Sequence, residues 1–335
     1  MSHLSYLTHE LYEMANIFEG IKKGRNHSRI MFDYEYWGNN TFDSRFNMAM
    51  EEYLLKRAAE TGNAQIRFFS MSSPSVIIGY GQATDPIRMY DGTFNVARRL
   101  TGGSHVHFDE KLMAYTVAVP NNGQFKNLGD MRAYYAGLIA NTIRFLGAED
   151  VEVDNRASTI NVDGKVIASH AMIWGVKSAL LHGLLNIEPY DVDTVNRRVF
   201  LAQRKIGGNT YTEYSALQNL PAVSFMLEKY APDIKGQARL GVIKDFVSNA
   251  LLFEITKDRY KAMAVQDGVA AQAMKLLTEK YGTESWVSGR DKPFTKDEIE
   301  EIPGEELNGE LKKKLGYCFF LQVKDRDFKK MAKSE

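Results

Sequence analysis

Residues 98–109 carry the densest chemistry in the chain: Arg98 and Arg99, a glycine pair at Gly102 and Gly103, then Ser104, His105, His107 and Asp109. Glycine reaches positive φ without steric cost, so two in succession let backbone N–H groups come close to an anion. The guanidiniums add forked donors that match a carboxylate or a phosphate. The same residues also fit a tight hairpin with a solvated basic edge, and the segment alone leaves both readings open. A second group lies at 163–171, where Asp163 and Gly164 make a two-residue turn signal between candidate strands 158–162 and 166–171. Lys165 sits where the second strand leaves that turn, either as an exposed strand-end charge or as a cation delivered to a site. His182 and Gly183, in the apolar run 181–187, read as a strand histidine before a glycine bulge or as part of a ligand wall.

Positioning these groups takes a sheet. The stretch 32–37 alternates aromatic and acidic residues as a half-buried strand does, and Gly38, Asn39 and Asn40 are expected to end it. Phe42, Phe46, Ala49, Tyr53 and Leu54 then mark one face of a helix running to about Glu60, with Thr41 or Asp43 placed to cap it. Strands are predicted at 64–71 and 75–80 around a hairpin turn at Ser72, Ser73 and Pro74, and again at 114–119. Helical patterns at 131–146 and 222–230 intervene. The order predicts an α/β (α+β) fold, a mixed β-sheet flanked by helices. Leu4, Leu7, Leu11, Met14, Phe18 and Ile21 have helical spacing, so residues 1–28 are expected to form a docking helix ahead of a catalytic domain at 29–253. From 254 to 335 the sequence turns helical and charged, which predicts a small accessory domain.

Composition narrows the function classes. Lys plus Arg equal Asp plus Glu at 42 each, so no global field draws the chain to nucleic acid or an anionic membrane. The apolar runs at 75–79 and 115–119 are far shorter than a bilayer span, and the first residues lack the pattern of a secretory signal. A single cysteine, Cys318, makes no internal disulfide, which fits a reducing cytoplasm.

Four stretches in order resemble the lipoate-protein ligase and octanoyl transferase family, whose catalytic domain is related to biotin ligases. They are Asn47-Met48-Ala49-Met50-Glu51-Glu52, Val76-Ile77-Ile78-Gly79 with Gln82, the loop 98–109, and His182-Gly183-Leu184-Leu185. The stretch 281–294, with Trp286 and Gly289 before Lys292-Pro293-Phe294, is similar to the family's passage into its accessory domain. The resemblance implies a biotin/lipoate ligase-like domain that activates lipoate or octanoate with ATP and Mg²⁺ as acyl-AMP. The acyl group would then pass to a lysine on a lipoyl carrier domain of a 2-oxoacid dehydrogenase or a glycine cleavage H-type protein. It further implies substrate or nucleotide contacts from Gly79, Gln82, Arg98, Arg99, Gly102, Gly103, Ser104, His107, Ser158, Thr159, Ser169, His182 and Gly183, with Arg98 near the phosphate. The acyl chain would lie against Val76, Ile78, Leu100 or Val106, gaining about 0.8 kcal/mol per buried methylene.

Four positions depart from the family pattern. Ser104 stands at the third loop glycine, Ser158 and Thr159 stand where the family has Asn-Asp to hold nucleotide and metal, and Val166 stands at the family lysine. Lys165, one residue early, is the expected catalytic cation and His170 the reserve. Neighbouring strand residues point to opposite faces, so Val166 is expected toward the ligand, and Lys165 needs a bulge or its own long stem to reach it. Cys318 lies well outside the matching stretches, which excludes a cysteine acyl-enzyme. Two alternatives stay open: an ATP-independent octanoyl or lipoyl transferase, and a non-catalytic paralogue that binds an acyl group or a carrier domain.

Overall fold

The computed structural model describes residues 32–81, 87–89, 95–103, 105–189, 199–201, 204–206, 209–211, 220–227, 236–265 and 267–288. The expected docking helix within 1–28, Gln82, Ser104, Cys318 and the stretch 289–335 lie outside them. The first strand, β1 (Tyr34–Phe42), does not stop at Gly38 as expected. Gly38 takes φ +80° and the register with the next strand shifts between Tyr36 and Asn39, so the glycine absorbs a bulge and pairing resumes. Helix α1 (Ser44–Thr61) starts where Asp43 accepts a hydrogen bond from the Arg45 N–H, and it ends at Gly62 in the left-handed region.

Strand β2 (Ala64–Met71) pairs parallel with β1 and antiparallel with β7 (Leu112–Pro120). Both edges of β2 are therefore filled, and this corrects the hairpin expected at Ser72, Ser73 and Pro74. The chain leaves the large sheet there, and β3 (Ser75–Ile78) joins a separate three-stranded sheet. In it β3 lies between a parallel β5 (Asn95–Arg98) and an antiparallel β6 (Val106–Phe108). Two further strand pairs join β4 (Ile87–Met89) to β12 (Val199–Leu201), and β13 (Arg204–Ile206) to β14 (Asn209–Tyr211).

After α2 (Leu128–Phe145), the strands β8 (Val151–Asp154), β9 (Thr159–Val162), β10 (Lys165–Trp174) and β11 (Ser178–Asn186) follow as an antiparallel meander. Asp163 at φ 50° and Gly164 at φ 72° make the predicted tight turn, since a two-residue hairpin of this hand needs both central residues at positive φ. The C-terminal elements are α3 (Val223–Leu227), α4 (Gly236–Thr256), β15 (Tyr260–Ala262), α5 (Asp267–Leu276), a π-helical turn (Leu277–Tyr281) and α6 (Glu284–Val287). Together these strands build the expected mixed sheet, eight strands in the order β15-β1-β2-β7-β11-β10-β9-β8.

One face of that sheet, with Ile66, Phe68, Val117, Ile160 and Leu181, is covered by α2 and α4 through Tyr135, Ile139, Val247 and Leu251. The other face meets α1, where Trp37, Tyr53, Leu54 and Leu180 pack together. Residues beyond 253 contribute to this body: β15 pairs parallel with β1, and α5 sets Ala273 and Val269 against the α1 cluster. The helices α5 and α6 and the π-helical turn place Leu276, Tyr281 and Val287 beside the three-stranded sheet.

A glycine on β11 sets the spacing at the sheet centre. A Cβ on Gly183 would lie 2.2 Å from the Tyr115 hydroxyl and 2.3 Å from the Ser169 carbonyl oxygen. Gly183→Ala is therefore expected to cost about 1–3 kcal/mol through overpacking, read as a lower urea midpoint at unchanged slope. An unaltered midpoint would show that β7 and β10 move apart freely.

Candidate functional site

The site is assembled around a buried carboxylate. On α1 the residues Asn47, Glu51, Leu54 and Ala58 fall at helical spacing on the buried side, which carries Glu51 under the sheet with no solvent exposure. Its Oε1 accepts from the Thr116 hydroxyl at 2.9 Å and lies 2.7 Å from His182 Nδ1. On the far side of the ring, His182 Nε2 is 2.6 Å from Thr101 Oγ1, which accepts from Arg99 Nε at 3.0 Å. A neutral imidazole carrying its proton on Nδ1 satisfies this whole chain: Glu51 accepts, and the Thr101 hydroxyl donates to Nε2. Arg67, wholly buried on β2, supplies the compensating positive charge near Glu51. Its guanidinium donates to Asn47 and stacks 4.6 Å from the Phe69 ring centre. Burial lowers its pKa to about 9.

Above this chain opens a cavity of about 420 Å³, counted to its open mouth. Met48, Phe69, Met71, Ile77, Val106, Phe108 and Leu184 give it apolar walls, and Glu51, Arg99, Ser169 and His182 are also among the lining residues. Walls of this kind suit a largely apolar ligand. The three-stranded sheet, β10, β11 and α1 each contribute a wall, so the fold brings the loop 98–109 beside the strand that follows the Asp163–Gly164 turn.

Of the residues singled out from sequence, Arg99, Ser169, His170, His182 and Gly183 line the cavity. Gly79 and Gly103 shape its rim: a Cβ on Gly79 would lie 1.7 Å from the Gly103 carbonyl oxygen, and Gly103 itself takes φ +93°. Gly102 lies between them and gives its carbonyl to Arg99 at 2.7 Å. His107 is buried on β6 but outside the lining, because strand alternation turns Val106 and Phe108 inward and His107 away. For the same reason Ile77 lines the cavity, and Val76 and Ile78, the expected acyl contacts, do not; Leu100 is also outside it.

Arg98 is fully buried, and its guanidinium donates to the carbonyls of Gly79, Tyr80, Trp286 and Val287. The Trp286 indole N–H returns a bond to the Arg98 carbonyl at 3.0 Å. This arginine therefore clamps α6 to the loop and is absent from the cavity lining. Glu51 and Thr101 were missed in the sequence, although a carboxylate on the buried stripe of an amphipathic helix was the available signal.

The hairpin residues divide between two faces. Val166 pairs with Asn161 and Ser169 with Thr159, and Asn161 and Thr159 alternate on β9, so Val166 shares the cavity face with Ser169. Lys165 pairs with Val162 on the opposite face and is exposed. A register shift does occur, but between Val166 and Ala168, downstream of Lys165, so it leaves that side chain where the turn puts it. Ser158 takes φ 60° and its hydroxyl accepts from Arg132 at 3.0 Å; Thr159 is buried. His170 is buried on the α2 side with both ring nitrogens unpartnered, and burial, with Arg132 and His182 nearby, lowers its pKa to about 3. Among the described residues no three of His, Cys, Asp and Glu cluster as metal ligands.

A sequence profile described as the lipoyl protein ligase A/B catalytic domain matches residues 43–212. Lipoate–protein ligase 1 of Staphylococcus aureus is 24% identical over 269 residues, 79% of this chain and 76% of that protein. A crystal structure of lipoate-protein ligase A bound with ATP superposes with a TM-score of 0.60 at 20% identity, covering 77% of this chain and 100% of the other. A bipartite lipoate protein ligase from Thermoplasma acidophilum, described with its E2 lipoyl domain, gives 0.60 at 18% identity over 79% of this chain and 99% of that one. At these identities the structural matches establish the fold.

Two outcomes follow from the buried groups. His182→Ala should remove one of the two hydrogen bonds that hold the buried Glu51 carboxyl, costing about 1.5–3 kcal/mol, whereas the double variant with Glu51→Gln should recover much of that in denaturant titration. Equal losses in both variants would show that the two residues are not coupled. His170 has a folded pKa below its unfolded value near 6.5, so the stability it contributes is present above pH 6.5 and is lost as pH falls toward 3. The slope of that loss is about 1.4 kcal/mol per pH unit. His170→Gln should flatten this acid limb relative to the parent; superimposed pH profiles would remove His170 as its cause.

Proposed function

The chain belongs to the lipoyl protein ligase A/B catalytic-domain family, and from that premise we propose that it attaches lipoate, or octanoate, to a lysine of a lipoyl carrier domain. The observation that carries this reading is the apolar cavity that ends on the Arg99–Thr101–His182–Glu51 chain. A medium acyl chain fits such walls at about 0.8 kcal/mol per methylene, and Arg99, held by Thr101 and the Ile77 and Gly102 carbonyls, is part of that wall. The Gly79–Gly103 contact holds the rim at a backbone separation that no side chain would permit.

ATP, when bound, would supply the phosphate leaving group that activates the carboxylate. On this reading the carrier belongs to a 2-oxoacid dehydrogenase or a glycine cleavage H-type protein, as the relative described with its E2 lipoyl domain supports. The residues at the expected Mg²⁺ position do not fit that ion: Ser158 and Thr159 offer hydroxyls, and the Ser158 oxygen is already held by Arg132. Residues 260–288 pack against the main body, and the rest of the expected accessory domain lies outside the described residues.

Val166 favours one alternative. With an apolar side chain on the cavity face where the family has a lysine, the site suits transfer of an acyl group that reaches it already activated on a carrier, without ATP.

Purified protein incubated with lipoate, ATP, Mg²⁺ and a lipoyl domain should add one lipoyl mass to that domain; acylation from an octanoylated carrier alone would support the transfer reading. No mass change with either donor would overturn both. Val166→Lys should raise the ATP-dependent rate at least about tenfold, or about 1.4 kcal/mol, while Lys165→Ala stays within about twofold. The opposite pattern would return the catalytic role to Lys165.

A further inference from the structure

Two polar atoms on the cavity face of β10 and β11 are buried with nothing to bond. Ser169 is 1% exposed and its Oγ has no partner; Asn186 is 2% exposed and its Oδ1 has none. The Asn186 amide nitrogen is held loosely by the Val166 and Pro221 carbonyls, each at 3.4 Å, which leaves the oxygen end of the amide aimed elsewhere. Ser169 lines the cavity, as do His182 and Leu184, and Asn186 lies on the same face of β11 by alternation, two positions past the last lining residue, Leu184. Ser169 pairs with Leu184 in the ladder, so Asn186 is its diagonal neighbour, at a separation of roughly 7–8 Å.

The strand positions beside the pair carry no charge: Thr159 pairs with Ser169 and Asn161 with Val166, both buried, so this part of β9 and β10 offers hydroxyls, an amide and a valine. Buried polar groups of native proteins are nearly always bonded, and an exception calls for a missing partner. Ser169 can donate a proton and Asn186 Oδ1 can only accept one. A carboxylate or phosphate offers acceptors alone and would set its charge against the Asn186 oxygen. A secondary amide offers one acceptor and one donor a short distance apart, and it brings no charge to desolvate.

We infer that Ser169 and Asn186 form a neutral head-group subsite that holds the secondary amide of an acylated lysine, with its carbonyl on Ser169 and its N–H on Asn186. The inference rests on the acyl-cavity reading above and names the species that the site holds best: the acyl chain in its lysine-linked form, in preference to the free acid.

Calorimetry on the full chain compares Nα-acetyl-Nε-octanoyl-lysine amide with octanoate. The amide should bind at least tenfold more tightly. Ser169→Ala should weaken amide binding about tenfold, leave octanoate within twofold, and raise the thermal midpoint of the ligand-free protein, because it removes a hydroxyl buried at a cost. Asn186→Leu should show the same selective loss. Octanoate binding as tightly as the amide, or amide affinity indifferent to both substitutions, overturns the subsite and leaves the ligation reading standing. Failure of both ligands to bind overturns the acyl cavity itself.

Discussion

A carboxylate held without water is the constraint on which the site is built. Glu51 tolerates burial because Thr116 and His182 bond one of its oxygens and Arg67 sets a positive charge nearby. Each of these partners comes from a different strand of the large sheet, so the carboxylate fixes how α1 crosses β2, β7 and β11. Through His182 the same chain reaches Thr101 and so sets where the glycine loop lies. Ligand geometry and core stability are thus consequences of one network, and a change in either is felt by the other.

The cavity also depends on what strand alternation forbids. On the three-stranded sheet, Val106 and Phe108 can enter the cavity only because His107 turns away. On β10 the extra residue near Ile167 resets the alternation, and Val166 and Ser169 share a face although they are three positions apart. This register makes the head-group end of the cavity neutral while a lysine stands one position away on the other side of the sheet.

Much of this was legible in the sequence where the signal is local. The Asp43 cap, the helix end near Glu60 and the Asp163–Gly164 turn each depend on a few adjacent residues, and all appear at or beside their expected positions. The mixed sheet with flanking helices and the family itself were also readable, the latter from motifs whose order survives at low identity. What was not legible depends on pairing at long range. Ser72, Ser73 and Pro74 look like a hairpin turn until β7 is known to occupy the edge of β2 that the hairpin would need. Gly38 looks like a terminator until β2 continues alongside it. Arg98 and Arg99 are equivalent in sequence, and only the three-dimensional position of Trp286 and Val287 separates the clamp from the cavity residue.

That clamp bears on when the site comes into being. Arg98 draws half of its carbonyl partners from residues 286 and 287, some 188 and 189 positions later in the chain. Contacts so distant in sequence close late, because the intervening loop must first lose its freedom. During synthesis, which runs from the N-terminus, β5 and the glycine loop emerge long before α6 exists to receive the guanidinium. Until then this arginine lacks the Trp286 and Val287 carbonyls that help to make its burial tolerable. The glycine loop beside the cavity is therefore among the last parts to reach its final form, and a nascent chain has no finished cavity before it is nearly complete.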